Sequence, residues 1–217
     1  PLARGEGLHE VERVFLLGAA FGVPPRKLPA KVFPDPMETM RFRAALARRG
    51  RDGERPLVGV HISARKPTQR WPAARFAALM HALRERHGAS FVLFWSPGAS
   101  DNAQHPGDDA KAQEVHTRLV GVPCLRWPTA TLPELVAGLA ECDTVICADG
   151  GAMHLAAALG KPIVCLFGNS DAQRWHPWAV PYELIQTPGR DVQEIQVEDA
   201  LAAYETLAAR VSLLAAG

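Results

Sequence analysis

Between His61 and Pro72 the chain reads His-Ile-Ser-Ala-Arg-Lys-Pro-Thr-Gln-Arg-Trp-Pro, which crowds three cations, Arg65, Lys66 and Arg70, and two hydroxyls, Ser63 and Thr68, into one connector. An apolar run precedes it and a helical stripe follows, so it joins a strand to a helix start. Guanidinium groups, ammonium groups and the free N–H groups of a helix N-terminus all favour anions, and together they suit a phosphate. A solvated cationic turn has the same composition; the position at a sheet edge favours the anion. A second junction, Ala148-Asp149-Gly150-Gly151-Ala152-Met153-His154, places paired glycines between strand and helix, where a ligand can approach the backbone N–H groups closely. Tight packing can also demand glycine, and His154 by itself reads more readily as a packed structural histidine than as a ligand.

Two further loops belong to the same edge. Trp95-Ser96-Pro97-Gly98-Ala99-Ser100-Asp101-Asn102, with His105 to Asp109 beyond it, has the length and polarity for a ribose or sugar contact, and equally those of a plain surface loop. Phe167-Gly168-Asn169-Ser170-Asp171 ends the next strand, and Trp175-His176-Pro177-Trp178 supplies aromatic surface to wall a pocket or cover the core. No Gly-x-Gly-x-x-Gly, Gly-x-Ser-x-Gly or Asp-x-Asp occurs, and Gly160-Lys161-Pro162 is no P-loop because Pro162 stands where Ser or Thr is needed. Anion stabilisation therefore falls to Arg, Lys and backbone N–H groups, with no metal or cofactor expected.

The elements that must position these loops alternate. Leu57 to Ile62, Phe91 to Trp95, Val122 to Trp127, Thr144 to Ala148 and Ile163 to Phe167 read as buried strands, with Tyr182 to Gln186 a candidate sixth. Helical patterns lie between them: Pro72 to His87, stopped by Gly88; Lys111 to Leu119; a helix opened by the Thr131 and Glu134 capping box; and Ala152 to Leu159. Val197, Leu201, Tyr204, Ala208 and Val211 mark an amphipathic last helix. This alternation implies an α/β fold: a Rossmann-like parallel sheet with helices on both faces. Residues 1–55 differ, with helical stretches near Val11 to Ala19 and Pro36 to Arg49 and connectors at Pro24 to Pro36 and Arg48 to Arg55. The expected division is 1–55 as a helical remnant of an N-terminal domain plus linker, 56–190 as the sheet domain and 191–217 as the terminal helix.

Composition narrows the partners. In 217 residues, 24 Lys and Arg balance 23 Asp and Glu, which offers no basic face for nucleic acid. No apolar run approaches the roughly 18–20 residues that cross a bilayer. The four cysteines, Cys124, Cys142, Cys147 and Cys165, lack metal spacing and read as core thiols of a reducing compartment.

The string Asp149-Gly150-Gly151-Ala152-Met153-His154-Leu155-Ala156-Ala157-Ala158-Leu159-Gly160-Lys161-Pro162, running on to Leu166-Phe167-Gly168, resembles the signature of glycosyltransferase family 9, which contains the ADP-heptose:lipopolysaccharide heptosyltransferases. His61 to Lys66, Arg70-Trp71-Pro72, Phe76, Thr131 to Leu135, Trp175 and Pro177 extend the likeness in order, over roughly residues 8 to 190. It implies the C-terminal half of a GT-B transferase, where the nucleotide-sugar donor binds. By position, Asp149, Gly150, Gly151 and His154 would contact the donor's diphosphate and sugar, and Ser63 with Arg65, Lys66, Gln69 and Arg70 would grip phosphate. Thr129, Ala130 and Thr131 would border the adenine, and Ser96 to Asp101 would approach the ribose. The family usually carries lysine where this chain has Gln69, which leaves the phosphate cation to Lys66 or Arg65.

The resemblance further implies inverting, metal-independent transfer from ADP-heptose or a similar nucleotide sugar. The acceptor would be the lipopolysaccharide core or another glycan, at the cytoplasmic face of the inner membrane with peripheral contact. The family's base lies in the N-terminal domain, near whose end this chain is expected to begin, so the isolated chain is expected to lack it. A non-catalytic nucleotide-binding or interaction module of the same fold is the alternative, and the upstream reading frame separates the two.

Overall fold

In a computed structural model of the chain, residues 7–19, 21–24, 26, 28–49, 55–102 and 106–216 are described. His105 and most of the connector at 48–55 lie outside them. Six strands, β1 (Leu57–His61), β2 (Ser90–Trp95), β3 (Cys124–Pro128), β4 (Thr144–Ala148), β5 (Ile163–Phe167) and β6 (Tyr182–Gln186), form one sheet in the order β3-β2-β1-β4-β5-β6. Every pairing is parallel, with Leu57 beside Ser90 and Val58 beside Thr144 in register. The candidate sixth strand is thus real, and the third sits two residues later than its start at Val122 suggested.

Successive strand residues point to opposite faces, which divides the core in two. Val58, Val60, Ile146, Val164 and Leu166 pack under α3 (Ala73–His87), α4 (Asp109–Arg118) and α8 (Val197–Ala216). Leu57, Val145, Cys147, Ile163, Cys165 and Phe167 face the layer containing α2 (Pro36–Ala47), α5 (Leu132–Ala140) and α6 (Gly151–Ala158). From α2, Phe42 is fully buried, edge-on to Trp127 at 5.0 Å, so this helix closes the second face. Gly59 makes that closure feasible, since a Cβ there would meet Cys142 Sγ at 2.9 Å and the Phe94 ring at 3.0 Å. All four cysteines are buried, and burial pushes Cys124 up to about 12.

Local signals act where they stand. Gly88 ends α3 with φ of 66°, and Thr131 and Glu134 form the reciprocal capping box of α5. Pro72 is the N-cap of α3 rather than its first helical residue. The first helix, α1 (Glu10–Ala19), exposes Val14 and Leu17, whereas its entry is tied down: His9 donates to the His176 carbonyl at 2.9 Å and Arg174 pairs with Glu10 at 2.6 Å. The short α7 (Ala172–Trp175) and the turn at Val192–Glu194 have no apolar periodicity and were not expected.

Candidate functional site

The sheet order reverses direction between β1 and β4, so the connections after these two strands leave toward opposite faces and open a crevice at their carboxyl ends. A cleft of about 900 Å³ occupies that place. Of the residues singled out from sequence, Ser63, Arg65, Lys66, Gln69, Ser96, Ala130, Asp149, Gly150, Gly151 and His154 line it. Asp101, Arg70 and Thr131 do not.

The reasons are structural. Asp101 is exposed on the far part of its loop. Thr131 spends its hydroxyl on the Glu134 amide as the N-cap of α5. Arg70 turns away from the cleft: one guanidinium nitrogen donates to the Ala64 carbonyl at 2.6 Å and another pairs with Asp108. Its cation serves the protein's own loop.

The connector after β1 contains a single 3-10 turn, Pro67–Gln69, that buries Gln69. The Gln69 amide nitrogen donates to Asp149 Oδ2 at 2.7 Å and to Ser170 Oγ at 3.2 Å. Gln69 therefore fastens the cleft's carboxylate, and its nitrogen is already engaged. Gly168 permits this arrangement, because a Cβ there would stand 2.2 Å from the Thr68 carbonyl oxygen. Gln186 at the end of β6 holds the same turn, donating to the Gly168 and Ser170 carbonyls at 2.7 and 2.9 Å. Trp71 anchors the start of α3 through its indole N–H, 3.0 Å from the Ile195 carbonyl.

Opposite this turn, Gly150 and Gly151 open α6. A Cβ added to either would meet nothing within 4 Å, so the protein's own packing does not require these glycines. Their bare backbone faces open cleft, with the amide end of α6 directed into it. His154, one turn in, is half-buried against Trp175, ring centroids 6.1 Å apart. Burial lowers its affinity for protons, against the opposing pull of the Asp149 charge.

Sequence reading gave no role of their own to His61 and Lys111. Full burial pushes His61 down to about 4, with the Lys111 charge adding to the effect and a hydrogen bond to the Ser63 backbone opposing it. Lys111 extends under the connector, its ammonium donating to the Ile62 carbonyl at 2.9 Å and lying 5.1 Å from the Phe76 ring centre. Desolvation brings it to about 8. The only sequence signals were a histidine ending an apolar strand and one of the five lysines, on a helix whose one large apolar residue is Val115. Leu132 and Leu135 form an apolar stretch of the lining beside Ala130 and Thr129. Among the described residues no cluster of His, Cys, Asp or Glu is placed to hold a metal ion, and no helix is long and apolar enough to cross a membrane.

A doubly wound parallel sheet with a crevice at its switch point, lined by Arg65, Lys66 and the glycine start of α6, defines a Rossmann-like α/β protein. The chain belongs to glycosyltransferase family 9 (heptosyltransferase), which it matches over residues 2–204. It is 31% identical over 144 residues to lipopolysaccharide heptosyltransferase 3 of Escherichia coli, a match covering 65% of this chain and 39% of that protein. The chain thus spans about two-fifths of that relative's length. Among solved structures, a family 9 glycosyl transferase from Veillonella parvula superposes with a TM-score of 0.81 at 21% identity, covering 94% of this chain and 62% of that one. The E. coli heptosyltransferase WaaC with ADP superposes with a TM-score of 0.69 at 16% identity, covering 95% and 58%. At these identities the structures establish the shared fold.

Proposed function

We propose that the cleft binds the diphosphate and nucleoside of an ADP-sugar donor, of which ADP-heptose is the leading candidate, for transfer to a lipopolysaccharide-core or similar glycan acceptor. The observation that carries this reading is the pair Gly150 and Gly151, whose missing side chains serve no internal contact, facing Arg65 and Lys66 across the switch point. In the transfer, the acceptor oxygen bonds to the anomeric carbon with inversion as the bond to the diphosphate oxygen breaks and its electron pair leaves with ADP. The charge growing on that diphosphate is met by fixed cations and the α6 amides, without calling on a metal. Asp149, the cleft's one carboxylate among the described residues, is buried and held by Gln69, so it is assigned to the donor sugar rather than to the acceptor's proton. The base is assigned outside this cleft, in keeping with relatives much longer than this chain.

That last point favours a second reading, in which this chain by itself binds donor without transferring sugar. Adding ADP at about a hundred times its dissociation constant should stabilise the fold by about 2.7 kcal/mol, raising the melting temperature by roughly 5–10 °C. No shift at millimolar ADP would remove the donor-site reading. Sugar transfer by the isolated chain would overturn the placement of the base and the binding-only reading together.

A further inference from the structure

Arg70 and Asp108 lie outside the cleft, yet they close a ring of hydrogen bonds around its cationic connector. Arg70 donates to the Ala64 carbonyl at 2.6 Å and pairs with Asp108 Oδ1. The Asp108 backbone N–H donates to the Ser96 carbonyl at 2.9 Å, and the Ser96 N–H donates to Ser63 Oγ at 2.9 Å. Ser63 and Ala64 are adjacent, so the ring is complete, and the Lys111 ammonium pins the Ile62 carbonyl from behind. It ties the loop after β1 to the loop after β2, immediately before Arg65 and Lys66.

The burial is unusual for a structural tie. The Asp108 side chain is 0% exposed and that of Arg70 25% exposed. Asp108 Oδ2 is buried with no hydrogen-bond partner among the described residues. Asp108 also makes no side-chain cap to α4, although it occupies the N-cap position. A carboxylate taken out of water at that cost, paired with Arg70 and near enough to Lys111 to feel its charge, is poorly explained by helix capping or by stability. Its effect is geometric: it fixes the guanidinium whose other nitrogen fixes the connector.

We propose that Asp108 and Arg70 are positioning residues, which hold the Ser63–Lys66 connector in the one conformation that presents Arg65 and Lys66 to the ligand's phosphates. This deepens the donor-site reading and rests on it for the identity of the ligand. Arg70 thereby acts on phosphate through the loop and not by contact.

The test uses the whole chain with Arg70→Met, Asp108→Asn and the two combined, and Arg70→Lys as a milder change that keeps the charge but reaches only one of the two acceptors. Amide hydrogen exchange without ligand should speed about ten-fold across residues 62–69 in every variant, with β5 unaffected. The dissociation constant for ADP should rise about ten-fold in each single variant and by no more in the double, while that for adenosine stays put. Unchanged exchange in the connector overturns the proposal. So does an ADP loss that multiplies to about a hundred-fold in the double, since independent effects would mean that Arg70 and Asp108 do not act through one ring, and so does an equal loss for adenosine. Failure of the unaltered chain to bind ADP removes the donor-site reading, and the exchange result still decides whether the ring holds the loop.

Discussion

The two sides of the cleft are made differently. The side formed at the ends of β1 and β4 carries Arg65, Lys66, Gln69, Asp149 and the glycine start of α6. The side formed beyond β2 and β3 carries Pro97, Ala130, Leu132 and Leu135. One is charged and rich in N–H groups; the other is nearly free of titratable chemistry. A ligand that satisfies both must itself be divided, with an anionic part and a flat, largely apolar part. A nucleoside diphosphate has that division. A free sugar phosphate would leave the second side wet, and a simple apolar ligand would strand the cations.

Removing the cations should break the contrast most. Arg65 and Lys66 are exposed, so each charge-assisted contact to phosphate is taken at the low end of its range, about 1.5 kcal/mol. Arg65→Ala and Lys66→Ala combined should therefore weaken ADP binding about a hundred-fold by calorimetry and leave adenosine nearly unchanged. Equal losses for the two ligands would mean that this side does not face phosphate.

Acid should act on the same side through His61. His61 is held near 4 by burial, against 6.5 in the unfolded chain. Because the folded state refuses a proton that the unfolded chain accepts, its stability is complete above about pH 6.5 and falls as pH drops toward 4. At pH 5 the loss is about 2 kcal/mol. Urea unfolding at pH 7.5 and 5 measures it, and His61→Gln should flatten the difference by that amount. An acid dependence untouched by this substitution would place its origin elsewhere, for example at His9 or His154, which burial also depresses.

The same contrast decides what could be read from sequence. The strands and helices were legible because β1, β4 and β5 are buried on both faces and read as unbroken apolar runs, and because Gly88 and the Thr131 and Glu134 pair punctuate the helices. The glycine junction was legible too, since few other requirements put two glycines between strand and helix. What failed was the direction of long side chains. Arg70 stands four residues from Lys66 among the same polar neighbours, yet it faces Asp108, 38 positions away in sequence. Gln69 looks like a weak phosphate ligand until Asp149 and Ser170, 80 and 101 positions on, are seen to occupy its amide. Contacts of such separation leave no local trace in one sequence. Two leucines of one helix show the same limit: Leu135 is buried as its helical stripe implies, while Leu132, three residues before it, is 67% exposed at the cleft.

That exposure sets up the smallest effect and the cleanest check on the apolar side. Leu132 opens α5 directly after the Thr131 cap, so truncating it removes neither the cap nor a buried contact. Alanine also has the better helix propensity, and the melting temperature should hold or rise slightly. If a flat base lies against this leucine, Leu132→Ala forfeits roughly 40 Å² of contact, worth about 1 kcal/mol at the usual 25 cal/mol per Å². The dissociation constants for ADP and adenosine should then rise together, each about five-fold, and that for inorganic phosphate should not move. A loss confined to ADP would put phosphate on the apolar side and reverse the proposed orientation of the donor. No loss for either nucleoside would leave Leu132 facing solvent and shift the base toward Leu135, which is buried at the same edge and already ordered by the helix behind it.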